Sequence, residues 1–176
     1  MIFSFILAAC APVTGTSTPA VPSTPTTVPQ QPIQNSAPNF NRSIRFEHLS
    51  LEQGLSQSVI NVIFQDSKGF LWFGTEDGLN RYDGYNFKDY RTEAENENSI
   101  SNNWITAIVE DKDGFIWIGT RQGGLNRFDP RSGLFTVFKH DPNDESSLSN
   151  NRVNTLFLNK RGELWVGTDS DLDRFN

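Results

Sequence analysis

The chain has 176 residues, a net charge of −6 and one cysteine. The acidic balance argues against sequence-independent nucleic-acid binding, which needs a basic surface, and one cysteine excludes an internal disulfide framework. No apolar run reaches the length of about 18 residues that a membrane-spanning helix requires.

The N-terminal segment, residues 1–10, has the pattern of an export signal. A short apolar run, Ile2 to Ala9, ends in small residues before Cys10. This resembles a bacterial lipoprotein signal, which implies that Cys10 is lipidated and becomes the mature N-terminus. A generic secretory signal and a truncated anchor helix stay open, as does a start upstream of Met1, because no basic residue precedes the run. We predict an extracytoplasmic, membrane-anchored protein, in the periplasm or at the cell surface.

Residues 11–41 differ sharply from the rest in composition. They hold seven of the nine prolines, among Thr, Ser, Gln and Ala, and no charged residue precedes Arg42. Such a segment cannot bury enough apolar surface to offset the entropy cost of ordering. We predict a disordered tether here, followed by a folded region at residues 42–176.

The folded region repeats one block three times. The block is Trp-x-Gly-Thr, and its tryptophans are 45 and then 48 residues apart. A period of this length built from strand patterns predicts an all-β fold, a β-propeller with one blade of four antiparallel strands per repeat. We expect the repeated residues to pack neighbouring blades together: Trp72, Gly74, Thr75, Trp117, Gly119, Thr120, Trp165, Gly167 and Thr168.

The repeats span residues 56–91, 101–140 and 149–176, and residues 44–49 resemble an outer strand. The strands predicted for the first repeat are 59–65, 70–75, 79–82 and 87–91. This amounts to about three blades, whereas propellers typically have about four to eight. We therefore expect an incomplete ring and an N-terminal fragment of a larger protein, with self-assembly of two copies as the alternative.

Few residues suggest a catalytic, ligand-binding or metal-binding role. Trp104 stands where the other repeats have Val59 and Arg152, so it is a weak candidate for ligand contact, with packing between blades as the alternative. Asp111 to Gly114 resembles the start of a calcium loop, but a hairpin turn fits better because the acidic residues do not recur. His48 and His140, the only histidines, fall on outer strands and do not form a metal site. We predict no catalytic residue, no cofactor and no metal.

The chain resembles the two-component regulator propeller repeats. The family's pattern is carried by residues 101–105 with 111–128, and again by 149–175 and 56–82. Two departures are visible: Asp171 replaces a glycine of the other repeats, and an extra residue lies within 122–124.

The resemblance implies a place in bacterial signalling. Such repeats form paired extracytoplasmic propellers, usually followed by a membrane helix and a histidine kinase or diguanylate cyclase. It implies a small-molecule or oligosaccharide ligand, and a homodimer in the full-length parent. The first hypothesis is thus a non-catalytic sensor. The alternatives are a surface-anchored propeller lipoprotein acting as a binding scaffold and, less favoured, a propeller enzyme.

Overall fold

A computed structural model describes residues 45–175. The predictions for residues 1–10 and 11–41, including lipidation at Cys10, lie outside this described part. Apart from one 3-10 turn at Leu51–Gln53, the regular structure is entirely β. No helix within residues 45–175 is long and apolar enough to cross a membrane.

The strands form three antiparallel sheets, each a meander in chain order. The first two sheets confirm the predicted four-stranded blades, and the third has three described strands. The first contains β1 (Ile60–Gln65), β2 (Leu71–Thr75), β3 (Leu79–Tyr82) and β4 (Phe87–Tyr90). The second contains β5 (Ile105–Glu110), β6 (Ile116–Thr120), β7 (Leu125–Asp129) and β8 (Leu134–Phe138). The third contains β9 (Val153–Leu158), β10 (Leu164–Thr168) and β11 (Leu172–Phe175).

Side-chain alternation along the first strand of the first blade determines which of its faces is covered. In β1, Ile60, Val62 and Phe64 are half-buried, while the residues between them are exposed. The hairpin to β2 closes at Gly69, whose φ of 90° lies in the left-handed region that favours glycine. Period-two burial and a glycine turn are what the sequence predicts for a blade strand and its hairpin.

The core lies between the blades. β1 packs against β5, and β5 packs against β9, so the three first strands are neighbours. One buried cluster joins the first two sheets and includes Trp72, Ile105 and Phe128. A second includes Trp117 and Val153 and joins the second sheet to the third. This face-to-face stacking of sheets around their first strands is the propeller arrangement.

The outer strand predicted for residues 44–49 stays a prediction. Residues 44–49 were expected to form an outer strand, but Arg45–Ser50 have no regular structure and are exposed. The segment instead leads into the 3-10 turn, where Glu52 N donates to Ser50 Oγ at 3.2 Å. A strand needs a neighbour for its backbone hydrogen bonds, and no described strand pairs with this segment.

Candidate ligand-binding cleft

A cleft opens where the chain enters the first strand of the second blade. Its volume is about 560 Å³. A smaller cleft of about 260 Å³ continues it towards the third blade, and the two share Arg121 and Gln122. The first is lined by Glu76, Thr92, Ser101, Asn102, Asn103, Trp104, Arg121 and Gln122. Residues from all three blades therefore meet along one surface.

The repeated threonine at the end of each second strand holds the loop beneath this surface. Thr75 Oγ1 donates to Gly78 O at 2.9 Å, and Thr120 Oγ1 donates to Gly124 O at 2.8 Å. Neighbouring blades are joined at the same place, because Gly124 N donates to Asn151 O at 2.8 Å. The backbone of the cleft is thus fixed by groups that recur in every repeat.

The backbone held by these repeated groups forms the frame of the cleft, and the side chains that it carries vary from blade to blade. The position before the first strand holds Val59, Trp104 and Arg152, and the position after the threonine holds Glu76, Arg121 and Asp169. Arg121 N donates to Trp104 O at 3.0 Å and Asp169 N to Arg152 O at 3.1 Å, so the two positions are paired within a blade. A rigid frame with variable side chains is typical of a binding surface.

Trp104 lies in this cleft, half-buried. The guanidinium carbon of Arg121 lies 3.9 Å from the centre of its ring, in cation–π contact. Among residues 45–175, Arg121 forms no ion pair with a carboxylate. A flat aromatic surface next to available N–H donors can stack on a ring and bond its hydroxyl groups.

Arg152 and Asp169 form the corresponding pair in the third blade. Arg152 Nη1 donates to Asp169 Oδ2 at 3.0 Å, and Asn154 Nδ2 donates to Asp169 Oδ1 at 2.7 Å. The hydrogen bond from Asn154, followed by the contact with Arg152, lowers the pKa of the Asp169 carboxyl below its ordinary value. The cleft therefore keeps an ionised carboxylate beside a guanidinium.

The repeated tryptophan and glycine lie away from the cleft, within the stack of blades. Trp72 is fully buried and Trp117 nearly so, whereas Trp165 is half-buried. Gly74 faces the next blade, since a Cβ there would lie 2.6 Å from Ile105 Cγ2. The equivalent contact of Gly119 is with Val153 Cγ1 at 2.7 Å.

In the third blade, Gly167 faces only Thr155 of its own sheet among the described residues. The threonines differ in the same way: Thr75 and Thr120 are buried, and Thr168 is half-buried.

The turn at Asp111 has a structural role. Its Oδ1 accepts from Asp113 N and Phe115 N, both at 3.0 Å, and its Oδ2 accepts from Trp117 Nε1 at 2.7 Å. His140 is exposed and its Nδ1 lies 2.7 Å from Leu148 O, while His48 is exposed in the segment before the first blade. Within the described part of the chain, no group of three metal-ligating side chains comes together.

The three repeats match a known protein family. The two-component regulator propeller family matches residues 54–77, 99–122 and 147–170. A protein named Histidine kinase P4 from Formosa agariphila is 47% identical over 60 residues, covering 34% of this chain and 4% of that protein.

Two solved structures from B. thetaiotaomicron are similar to the fold. The extracellular domain of a hybrid two-component system, BT3049, matches with a TM-score of 0.70 and 34% identity, covering 74% of this chain and 18% of that one. The extracellular domain of a one-component system, BT4673, matches with a TM-score of 0.57 and 28% identity, covering 74% and 19%. The chain thus spans less than a fifth of either structure.

Proposed function

We propose that the chain is part of a ligand-sensing propeller in the extracytoplasmic region of a bacterial signalling protein. The chain carries two-component regulator propeller repeats. The extracellular location of the similar structures supports the compartment. The kinase in the name of a sequence relative supports a histidine kinase as the parent. We propose that the chain itself binds rather than catalyses, and that the signal-like segment ending at Cys10 anchors it to the membrane.

The observation that carries the proposal is the cleft at Trp104. Its frame recurs in each blade, its lining varies, and it presents an indole beside the Arg121 guanidinium. Stacking on an aromatic ring combined with a few hydrogen-bond donors suits a sugar ring. We therefore propose a small-molecule ligand of the oligosaccharide class.

The test is a binding screen of the full chain against an array of neutral and acidic oligosaccharides. We expect the wild-type chain to bind and Trp104→Ala to bind about fivefold more weakly or worse, because stacking contacts contribute on the order of 1 kcal/mol or more. Tyr85→Ala is the matched control, because Tyr85 is an exposed aromatic residue outside the cleft. Binding that survives unchanged in Trp104→Ala would contradict the site, and no binding across the array would contradict the function.

A further inference from the structure

Arg121 places a positive charge without a counter-ion in the cleft at Trp104. Arg121 is half-buried, and within residues 45–175 its guanidinium forms no ion pair. No side-chain nitrogen or oxygen in this part of the chain is both buried and without a hydrogen-bond partner. The N–H groups of Arg121 are therefore accessible to solvent, and a ligand in the cleft can reach them.

The indole of Trp104 holds this guanidinium in place. The guanidinium carbon lies 3.9 Å from the centre of the ring, and Arg121 N donates to Trp104 O at 3.0 Å. Trp104 N in turn donates to Asn102 Oδ1 at 3.0 Å, which fixes the backbone below the ring. Stacking uses the flat face of a guanidinium and leaves its N–H edge available. Because the side chain is ordered before a ligand arrives, binding costs less entropy.

The third blade shows how the same frame neutralises an arginine. Arg152 Nη1 contacts Asp169 Oδ2 at 3.0 Å, and Asn154 Nδ2 donates to Asp169 Oδ1 at 2.7 Å. The hydrogen bond from Asn154 lowers the pKa of the Asp169 carboxyl most, Arg152 comes next, and Arg121 contributes least. Both oxygens of this carboxylate are thus engaged by nearer groups. The charge of Arg121 stays uncompensated by comparison.

The remaining polar side chains of the cleft suit hydroxyl groups. Glu76 and Gln122 line it, and neither forms an ion pair with a described residue. Carboxylate and amide groups accept hydrogen bonds from sugar hydroxyls, and an amide also donates to them. Glu76, on the first blade, disfavours a negative charge on its own side. The cleft therefore fits a sugar whose hydroxyl groups face Glu76 and whose acidic group lies beside Arg121.

We propose that Arg121 makes this cleft selective for oligosaccharides that carry an acidic group, which the guanidinium binds through paired N–H donors. This inference rests on the proposed function of the same cleft and narrows the chemical class of its ligand. The carboxylate of a uronic acid and a sulfate ester share the required chemistry, since each presents adjacent oxygens that carry a negative charge. Charge-assisted pairs of this geometry are strong and directional. Trp104 supplies stacking, and Arg121 supplies the discrimination between charged and neutral sugars.

The test compares matched pairs of ligands by isothermal titration calorimetry with the full chain. One pair is an oligosaccharide of hexuronic acids and its methyl ester, which removes the negative charge. The other is a sulfated oligosaccharide and its desulfated counterpart. We expect the wild-type chain to bind the charged member of a pair about tenfold or more tightly than the neutral member. The pair that shows this preference identifies the acidic group as carboxylate or sulfate.

Arg121→Gln removes the charge and keeps a side chain that can donate a hydrogen bond. We expect this variant to bind the charged member about tenfold more weakly and the neutral member within about threefold of wild type. Near-normal binding of the neutral member shows that the cleft has kept its structure. Arg131→Gln is the matched control, because it makes the same change of charge at an exposed turn outside the cleft. It should keep the full preference.

The outcomes separate this inference from the proposed function. Equal binding of charged and neutral members by the wild-type chain would overturn the selectivity and leave the oligosaccharide function standing. A preference that survives Arg121→Gln would overturn the role of Arg121, and so would an equal loss of affinity for both members. No binding of any member would overturn the proposed function, and this inference with it.

Discussion

The indole of Trp72 donates through Nε1 to Asp66 Oδ2 at 2.8 Å, inside the first blade. The same carboxylate accepts from Phe70 N at 2.9 Å, so one side chain holds both the hairpin and the central tryptophan of the sheet. The second blade repeats this bond between Trp117 and Asp111. In the third blade an asparagine, Asn159, replaces the aspartate and bonds Glu163 instead.

We expect Asp66→Asn to lower the free energy of unfolding by about 1–3 kcal/mol. The amide keeps one oxygen for the hairpin, but its NH₂ faces the indole N–H, and a buried donor loses its acceptor. Urea unfolding checks this. Asp113→Asn is the control, since it removes the same charge from an exposed turn and should stay within about 0.5 kcal/mol of wild type. Equal midpoints for the two variants would show that the Trp72 bond contributes nothing to stability.

The sequence predicts most of the fold because its signals are local and repeated. The strand expected at 59–65 is observed at Ile60–Gln65, and the one at 70–75 at Leu71–Thr75. The outer strand expected at 44–49 stays a prediction, because its pattern is local but its pairing is not. A strand-like pattern does not provide the neighbour that a strand needs.

The cleft is less visible in the sequence. Trp104 stands out because an aromatic residue replaces unlike residues in the other repeats. Sequence reasoning missed Arg121, which contacts Trp104, and Asp169 in the adjoining smaller cleft, because charged residues next to a loop are ordinary. The available signal was their position directly after Trp-x-Gly-Thr, where the repeated pattern stops and the residue type changes from blade to blade.

The buried phenol of Tyr90 makes the stability of the fold depend on pH in the alkaline range. Burial raises the pKa of its phenol above the ordinary value of 10.0. The unfolded chain therefore loses this proton first as pH rises past about 10, and stability falls from there up to the folded pKa. Tyr90→Phe, which introduces the residue type of the equivalent Phe138, should be near neutral at pH 7 and flatten this fall. Thermal unfolding measured over a series of alkaline pH values checks this prediction. Tyr85→Phe is the control and should leave the decrease in stability at alkaline pH unchanged.

Replacing Gly74 with alanine tests the contact between the first two blades. An added Cβ would lie 2.5 Å from Val62 Cγ1 and 2.6 Å from Ile105 Cγ2. Both neighbours are β-branched strand residues that cannot turn aside freely, so the sheets must separate. We expect Gly74→Ala to cost about 1–3 kcal/mol in denaturant unfolding. Thr136→Ala, at an exposed strand position, is the control and should change the free energy of unfolding little. If Gly74→Ala does not lower the free energy of unfolding, the first two blades can move apart at no cost.

The acidity of Asp169 depends first on Asn154, whose amide bonds the carboxylate. We expect Asn154→Ala to raise the pKa of Asp169 towards its ordinary value, because a donor to the charged form is lost. The contribution of this carboxylate to stability is present above its ordinary pKa and is lost as pH falls through the lower folded value. In the variant this contribution is therefore smaller and its loss is complete at a higher pH, where protonation of Asp169 also removes the ion pair to Arg152. Titration of the carboxyl carbon by NMR measures the change, with Asn143→Ala as the remote control. An unchanged Asp169 titration in Asn154→Ala would assign the lowered pKa to the arginines, Arg152 and Arg121, rather than to Asn154.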